Sequence, residues 1–366
     1  MTLQLQAATL DPERLKKPVE EILTDFLACK SQQITRDGFP DLAAPIRGLL
    51  DMERTRLRPT LALIGWHAAS APGPYRAVHH LAASLELFHA FALIHDDVMD
   101  QSDIRRGGPT IHRSFAHERS GSSQTTPASN HFGDGAAILI GNLASAWSDE
   151  LLHAGHPSRA QLCRIRPLLD EMRTEIALGQ FLDLTAASTP TTDLDTALTV
   201  IRYKTAKYTF ERPLHLGAAL AGADRQLLDA LSAYALPLGE AFQLRDDLLG
   251  IFGSCAVTGK PALDDLRKGK ATVLMAFALT RATRQQSAQL RRLLGCPTLD
   301  EEAAATARDV IISTGADHAV HQMICLRYEQ ALRAVKSAAL EPHVADALHQ
   351  IAHAAVSTPV NRAHRD

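Results

Sequence analysis

Apolar residues recur at helical spacing along most of the chain, with polar residues at the positions between them. Alternating β-branched runs bounded by tight turns, which are typical of strands, are hard to find. Pro, Gly, Asp and Ser interrupt the helical pattern and mark helix ends. The pattern therefore predicts an all-α fold. The predicted helices span residues 12–34, 40–52, 58–71, 75–102, 133–154, 158–186, 193–222, 224–253, 270–292, 300–313, 316–338 and 342–356.

One segment, residues 117–133, lacks an apolar face and is rich in Ser and Thr. We expect this segment to form a polar surface loop. No break in composition and no internal repeat divides the rest of the chain. The sequence therefore predicts one large helical domain that spans residues 1–366.

The composition narrows the possible functions. The chain has 366 residues, of which 46% are hydrophobic, so it can bury a large core. The net charge of −3 excludes a general attraction to nucleic acid. Five well-separated cysteines without C-x-x-C spacing argue against a disulfide framework or a zinc site. The sequence shows neither a membrane span nor a secretory signal, and we expect a cytoplasmic protein without integral membrane association.

The apolar helix predicted over residues 75–102 ends in a cluster of aspartates. Asp96 and Asp100 are four residues apart and lie on one helical face, with Asp97 beside them. Carboxylates at the end of a buried helix repel one another unless cations neutralise them. Mg²⁺ prefers oxygen ligands and often shares them with substrate phosphates. The cluster therefore predicts a magnesium site.

A second acidic pair, Asp246 and Asp247, follows another apolar helical run. We expect the two clusters to line two sides of one pocket. Basic residues accompany both clusters, as a bound diphosphate would require, because Arg and Lys donate charge-assisted hydrogen bonds to phosphate oxygens. These basic residues are Arg105, Arg106, Lys204, Lys207, Lys260, Lys268 and Lys270.

The acidic and basic clusters lie in motifs that resemble those of the isoprenyl diphosphate synthases, also called polyprenyl synthetases, and most of all the actinobacterial geranylgeranyl diphosphate synthase type. The resemblance covers residues 40–340 and implies the isoprenoid synthase fold, a large helical bundle with a central active-site cavity, and a homodimer. The motifs are L-E-L-x-H at 85–89, I-H-D-D-V-M-D at 94–100, S-D-x-R-R-G-x-P-T at 102–110, Y-K-T-A at 203–206, F-Q-x-x-D-D at 242–247 and T-G-K-P-A-x-D-D-L-R-x-G-K-x-T at 258–272.

The resemblance implies head-to-tail prenyl transfer. In this family three Mg²⁺ ions bind the diphosphate of an allylic substrate and assist its ionisation to an allylic cation, which isopentenyl diphosphate then attacks. The implied metal ligands are Asp96, Asp100 and Asp246, supported by Asp97 and Asp247. Arg105, Lys204, Lys260 and Lys270 match the groups that contact the allylic diphosphate. Arg56, His89 and Arg106 match those that contact isopentenyl diphosphate. The resemblance implies that Gln243 lies near the allylic chain or its cation and Thr205 near the pocket wall.

Three positions depart from the family pattern. Thr55 replaces the lysine of G-G-K-R-x-R-P, which lies in the implied isopentenyl diphosphate site. Gly250 replaces the last aspartate of the second acidic motif, and Asn142 replaces the aspartate of a Gly-Asp pair. The first departure bears most directly on activity, because it removes a cation from the site of the second substrate.

Bulky residues before the first acidic motif bear on product length. Phe91 and Phe88 stand five and eight residues before Asp96, about 7.5 and 12 Å along the helix. In the family, rings at such positions close the hydrocarbon tunnel. We therefore expect a short product, C20 or C15, although either ring could instead be ordinary core.

Two alternatives remain open at this stage. A class I terpene cyclase shares the fold, the metal clusters and the ionisation step, and it needs no isopentenyl diphosphate site. A non-catalytic partner subunit of a prenyl synthase would need none of the five aspartates. Retention of Arg56, His89 and Arg106 favours the synthase over the cyclase.

Overall fold

The computed structural model describes residues 10–52, 55–70, 75–122, 124–187, 192–253, 263–296 and 298–357, and these residues are almost entirely helical. The one sheet in these ranges is a hairpin of β1 (Ile104–Arg105) and β2 (Gly108–Pro109). The helices are α1 Pro12–Arg36, α2 Ala43–Met52, α3 Leu57–Ala68, α4 Arg76–Met99, α5 Ile111–Ser120, α6 Pro127–Ala154, α7 Arg159–Ala187, α8 Leu194–Val200, α9 Arg212–Ala221, α10 Arg225–Phe252, α11 Asp264–Lys268, α12 Val273–Arg281, α13 Arg284–Leu293, α14 Glu301–Ser313, α15 Ala316–Ser337 and α16 Pro342–Val356.

The predicted polar loop over residues 117–133 is wrong in extent, because helices occupy most of that segment. Helix α5 continues to Ser120 and stops at Gly121, which adopts a left-handed conformation with φ of 64°. Helix α6 begins at Pro127, where Thr126 and Ser129 form a reciprocal capping box. Among the described residues, the non-helical part of this segment is therefore confined to residues 121, 122 and 124–126.

Two predicted helices are interrupted. The segment predicted as one helix over 270–292 contains α12 and α13, because Thr283 caps a new helix through a capping box with Gln286. The segment predicted over 193–222 contains α8, a π-helix from Ile201 to Glu211, and α9. A π-helix is rare and often marks a functional site.

The chain divides into two compact units. Unit 1 comprises Met1–Leu169, Pro213–Leu228 and Ala339–Leu348, and unit 2 comprises Asp170–Arg212, Asp229–Ala338 and His349–Asp366. The predicted single domain over residues 1–366 stays a prediction.

In unit 1, α4 packs against α3 and α6 and buries most of its length. By length and composition α4 could cross a bilayer, but 67% of its most apolar stretch is buried inside the protein, as in the core helix of a soluble protein. Glycines permit a close crossing of α3 and α9. A Cβ atom at Gly65 would collide with the backbone of Leu214, and one at Gly217 would collide with the backbone of Ala62.

In unit 2, an apolar cluster joins α8, α10 and the helices from α12 to α15. Leu248, Leu274, Ile311 and Val320 are completely buried in this cluster. The π-helix lies directly against α10, since a Cβ atom at Gly239 would come within 2.5 Å of Ala206 Cα. Unit 2 therefore holds the π-helix at a defined register beside α10.

Candidate active site

The first aspartate cluster lies at the C-terminal end of α4 in unit 1. The backbone N–H of Asp100 donates to the carbonyl of Asp96 at 2.8 Å and closes the last turn. Asp96 and Asp100 are partly exposed, whereas Asp97 is 4% exposed. Arg105 donates to both carboxylate oxygens of Asp97, each at 2.8 Å, and lies 3.7 Å from Asp96. Asp96 and Asp100 therefore carry the solvent-accessible carboxylate oxygens at this end of the helix.

The hairpin of β1 and β2 positions two arginines beside these aspartates. Arg106 and Gly107 form its two-residue loop, and both have positive φ angles, 51° and 80°. Such a loop matches the twist of the paired strands, although a non-glycine residue at positive φ is strained. The hairpin thereby sets Arg105 on β1 against Asp97, with Arg106 next to it in the turn.

A group of arginines surrounds His89, which lies on α4 two turns before Asp96. Burial lowers the pKa of His89 well below its ordinary value, and the positive charges of nearby arginines lower it further. His89 is therefore neutral near pH 7. In order of their effect these arginines are Arg58, Arg105, Arg56 and Arg106.

Arg56 and Arg58 differ in their surroundings. Arg56 is 6% exposed and donates to the buried carboxylate of Glu86 at 3.1 Å, with Glu20 at 3.9 Å. Arg58 has the larger effect on His89. The sequence interpretation overlooked Arg58, although the R-x-R-P pattern contains it. Thr55, which replaces the family's lysine, is exposed, and residues 53 and 54 lie outside the described residues.

The π-helix of unit 2 carries Lys204 and Thr205. Lys204 donates to Asp183 of α7 at 2.6 Å. Gly179 permits this approach, because a Cβ atom there would lie 2.5 Å from the backbone nitrogen of Lys204. The sequence interpretation missed Asp183. The available signal is that Asp183 lies one helical turn after Gly179 on α7, on the same face of the helix.

Hydrogen bonds connect the π-helix to the second aspartate cluster. The hydroxyl of Thr205 donates to Gln243 at 2.8 Å, and the amide nitrogen of Gln243 donates to Asp247 at 2.9 Å. One turn earlier on α10, the buried carboxylate of Glu240 accepts hydrogen bonds from Arg202 at 2.7 and 3.0 Å. These contacts fix Gln243 and Asp247 relative to Thr205.

Asp246 and Asp247 have different environments although they are adjacent on α10. Asp246 is exposed, whereas Asp247 is buried. Burial raises the pKa of Asp247 to about 7, and the charges of Asp246 and Asp265 also raise it, against the lowering effects of Gln243 and Lys270. Asp246 is therefore the accessible oxygen donor of the pair.

Two further residues lie near Asp247. Lys270 follows the C-terminal end of α11, where Gly269 adopts a left-handed conformation, and its Nζ atom lies 3.3 Å from Asp265 Oδ1. A Cβ atom at Gly250 would collide with Asp265 Oδ2. The side chain of Asp265 therefore covers the bare backbone of Gly250. Lys260, the other predicted phosphate contact of this segment, lies outside the described residues.

Aromatic rings line one side of α4 before the first aspartates. The rings of Phe88 and Phe91 have centroids 5.2 Å apart, and the edge of His95 meets Phe91 at 4.7 Å. His95 Nε2 lies 3.1 Å from the carbonyl oxygen of Ile138, and Gly141 of α6 leaves room for the imidazole. Phe88 is buried and Phe91 only partly so, which leaves Phe91 the more accessible ring.

The carboxylates of the candidate site can bind magnesium only if substrate phosphates supply further oxygen ligands. Among the described residues, no three acidic, histidine or cysteine side chains converge closely enough to bind a metal ion by themselves. Mg²⁺ is usually bound through one or two carboxylates, with phosphates and water completing six oxygen ligands. In unit 1 the partly exposed carboxylates of Asp96 and Asp100 suit that mode of binding, and in unit 2 the exposed carboxylate of Asp246 suits it as well.

The predicted site residues are distributed over both units. In unit 1 lie Arg56, Phe88, His89, Phe91, Asp96, Asp97, Asp100, Arg105 and Arg106, and in unit 2 lie Lys204, Thr205, Gln243, Asp246, Asp247 and Lys270.

Comparison with known proteins identifies close relatives. The polyprenyl synthetase family profile matches residues 40–311. Geranylfarnesyl diphosphate synthase from Aeropyrum pernix is 33% identical over 264 residues, which cover 71% of this chain and 76% of the relative. Geranylgeranyl diphosphate synthase from Mycobacterium tuberculosis is 32% identical over a region that covers 77% of this chain and 75% of the relative. The crystal structure of the Corynebacterium glutamicum geranylgeranyl pyrophosphate synthase, complexed with isoprenyl diphosphate and magnesium, superposes with a TM-score of 0.89 at 38% identity, over 94% of this chain and 99% of the other.

Proposed function

Because the chain belongs to the polyprenyl synthetase family, we propose that it condenses an allylic diphosphate with isopentenyl diphosphate by head-to-tail prenyl transfer. The product is a short-chain prenyl diphosphate, C20 or C15. The relatives named as geranylgeranyl and farnesyl diphosphate synthases support this product class.

The arginines around His89 carry this proposal. Arg58, Arg105, Arg56 and Arg106 all act on one neutral imidazole two turns from Asp96. Arg56 is paired with Glu86 and Arg105 with Asp97, and Arg58 and Arg106 add further positive charge beside His89, which suits a second diphosphate. A terpene cyclase acts on one diphosphate only. The arginine group therefore favours condensation of two substrates over cyclisation, and the contacts to isopentenyl diphosphate come from Arg58, His89 and Arg106, with Arg56 held in place by Glu86.

The allylic diphosphate is bound through magnesium. Asp96, Asp100 and Asp246 are the metal ligands, and the family pattern implies three ions. When bound, the ions neutralise the leaving diphosphate. Bound magnesium in the Corynebacterium glutamicum relative supports this assignment. Arg105, Lys204, Lys260 and Lys270 add positive charge at the phosphate oxygens.

The chain's own polar groups orient the reacting carbons. The carbon–oxygen bond of the allylic diphosphate breaks, a carbon–carbon bond to isopentenyl diphosphate forms, and a proton then leaves the intermediate to the departed diphosphate. No side chain is required as the base. Thr205 and Gln243, held by their mutual hydrogen bond, lie near the allylic chain and stabilise its developing positive charge.

The length of the product is set by Phe91. Its ring stands below Asp96 on α4, is backed by Phe88 and is held at its edge by His95. A growing chain that extends down this helix face meets the ring about 7.5 Å from Asp96. This favours a C20 product over longer chains.

The enzyme is a cytoplasmic homodimer in this proposal, with no nucleic acid partner and no integral membrane association. Exposed apolar side chains on α6 support the homodimer, because Phe132, Ile138 and Leu139 are 46%, 44% and 64% exposed on one helix. A second copy of the chain would cover them.

A product assay tests the proposal. The purified protein is incubated with Mg²⁺, isopentenyl diphosphate and dimethylallyl, geranyl or farnesyl diphosphate, and both dephosphorylated products and volatile hydrocarbons are identified. We expect a linear C20 alcohol that depends on isopentenyl diphosphate and disappears with EDTA. A cyclic hydrocarbon from an allylic diphosphate alone would establish the cyclase instead. No product with any substrate would favour a non-catalytic subunit.

A further inference from the structure

A buried carboxylate in unit 2 joins three helical elements. Glu240 of α10 is 2% exposed, and each of its oxygens faces a different arginine. Arg202 of the π-helix donates from Nε and Nη2 to Oε1, at 3.0 and 2.7 Å. Arg327 of α15 forms an ion pair on the other side, with its Nε atom 2.6 Å from Oε2. Glu240 therefore connects the π-helix, α10 and α15 through one side chain.

The contact between Arg202 and Glu240 runs parallel to a second contact between the same two helices. Thr205 donates to Gln243 at 2.8 Å, so the paired residues are three apart on the π-helix and three apart on α10. One contact alone would let the π-helix turn about that point, whereas two contacts fix both its rotation and its register. Arg202 and Glu240 thereby hold the hydroxyl of Thr205 opposite Gln243.

The burial of Glu240 indicates a role in register more than in stability. Taking a carboxylate out of water is unfavourable, and replacing a buried ion pair by apolar side chains is often neutral or stabilising. A buried polar group can instead select one register of two packed helices. Next to Glu240 the two helices meet at Gly239 and Ala206, small residues that bring the backbones together but do not by themselves fix the register.

We propose that Glu240 is a positioning residue for prenyl transfer. Held by Arg327, it fixes Arg202 and so keeps Thr205 and Gln243 where they stabilise the positive charge that develops on the allylic chain. The inference rests on the function proposed above. It gives a role to three residues, Arg202, Glu240 and Arg327, that stand outside the motifs at 203–206 and 242–247.

Arg202→Gln tests this role with little risk to folding, because the side chain of Arg202 is 50% exposed and Glu240 keeps its pair with Arg327. The purified variant is assayed with Mg²⁺, geranyl diphosphate and isopentenyl diphosphate. We expect kcat to fall about 10- to 100-fold, since a displacement of about 1 Å at reacting groups can cost about 100-fold. The KM of geranyl diphosphate should stay within about 3-fold, because the lost stabilisation acts in the transition state.

Two controls separate positioning from charge and from stability. Arg333→Gln removes an exposed arginine of α15 that lies 3.4 Å from Glu329, and its kcat should be unchanged. Leu290→Ala opens a cavity in the apolar cluster of unit 2 and should lower the melting temperature, with an unchanged kcat well below that temperature. A merely structural role for Arg202 would make Arg202→Gln resemble Leu290→Ala in both measurements.

A double-variant cycle tests whether Arg202 and Glu240 act through their shared contact. Glu240→Gln should lower kcat at least as much as Arg202→Gln does. The losses should not add, so that kcat of the double variant stays within about 3-fold of Glu240→Gln alone. If Glu240→Gln does not fold, Arg327→Gln replaces it in the cycle, because Arg327 is partly exposed and holds the other oxygen of Glu240.

A direct contact of Arg202 with the diphosphate would give a different result. Arg202→Gln would then raise the KM of geranyl diphosphate, and the variant at Glu240 would keep the kcat of the wild type. Either of those results, a wild-type kcat in Arg202→Gln, or additive losses in the cycle would overturn the inference. A wild type that forms no product would instead contradict the proposed function, and this inference with it.

Discussion

The two aspartate clusters have the same sequence signature but different electrostatic environments. In unit 1, two of the three guanidinium nitrogens of Arg105 donate hydrogen bonds to the carboxylate of Asp97. In unit 2, Asp247 is buried near two further carboxylates, Asp246 and Asp265, and its pKa is raised to about 7. Asp97 of the first cluster therefore has a guanidinium at hydrogen-bond distance, whereas Asp247 of the second accepts its side-chain hydrogen bond from the neutral amide of Gln243. A pair of aspartates after an apolar helix does not by itself reveal which of these cases applies.

The largest expected effect comes from removing the internal cation of unit 1. Arg105→Gln leaves the buried carboxylate of Asp97 without its partner, and the free energy of unfolding should fall by about 3–5 kcal/mol. Lys270→Gln, the counterpart in unit 2, removes a partly exposed ammonium group and should cost less than about 1 kcal/mol. Urea unfolding at pH 7.5 without metal measures both. Equal losses would show that the two clusters are balanced in the same way.

Removing an accessible metal ligand should affect turnover more than stability. Asp246→Asn is expected to reduce kcat about 10²- to 10³-fold, because a group that stabilises the leaving diphosphate is lost. Urea unfolding should be almost unchanged, since Asp246 is exposed. Steady-state kinetics over a range of Mg²⁺ concentrations measures the effect, with Asp309→Asn, at an exposed aspartate of α14, as the charge control. A variant as active as the wild type would remove Asp246 from the metal site.

The raised pKa of Asp247 predicts a pH dependence of stability. Burial first, then Asp246 and Asp265, raise this pKa from 3.8 to about 7. A group with a raised folded-state pKa contributes stability that is fully present below its unfolded pKa and is lost as pH rises through the folded pKa. The free energy of unfolding of Asp247→Asn, minus that of the wild type, should therefore increase by about 2–3 kcal/mol between pH 5 and pH 8.

Urea unfolding in EDTA at a series of pH values checks this dependence. A flat difference between Asp247→Asn and the wild type would mean that Asp247 ionises as an ordinary surface aspartate does. Adding Mg²⁺ with pyrophosphate should reduce the pH dependence, because bound cations favour the ionised carboxylates.

The smallest energetic change concerns product length, which is assigned to unit 1 alone. Phe91→Ala removes the accessible ring below Asp96, and the main product should lengthen by one five-carbon unit with less than about a tenfold change in kcat. Phe88→Ala, which removes the buried ring behind it, should lower stability more than it changes the product. Chromatography of the dephosphorylated products checks the lengths. An unchanged product from Phe91→Ala would place the limit elsewhere.

Most of the fold could be predicted from apolar periodicity. The helix predicted over 342–356 agrees with α16, and the one over 300–313 differs from α14 by a single residue. The pattern failed where local hydrogen bonds decide the structure, as at the capping boxes of Thr126 and Thr283. It also did not distinguish the π-helix from an α-helix, since the difference between i→i+5 and i→i+4 hydrogen bonds is a property of the backbone that residue types do not show.

The aspartates, the basic residues and His89 of the candidate site could be identified from motifs. The contacts of Arg58, Asp183 and Asp265 were missed, although Arg58 and Asp265 stand in quoted motifs, because these contacts join separate segments of the chain. For two of them the decisive partner is a glycine, Gly179 or Gly250, whose missing side chain makes room for the contact. The sequence contains those glycines, but only the folded backbone shows which side chain approaches them.

The π-helix from Ile201 to Glu211 has a consequence for insertions and deletions. An α-helix turns 100° per residue, so deleting one residue from a long helix such as α10 would rotate every side chain beyond it. A π-helix closes each hydrogen-bonded turn with one residue more than an α-helix does, so deleting one residue there can convert a π turn into an α turn with a smaller change of register in the flanking helices. Such a deletion between Ile201 and Glu211 would preserve the fold yet move Lys204 away from Asp183. We therefore expect a one-residue deletion in this segment to cost less stability than one in α10, while it removes the contact between Lys204 and Asp183.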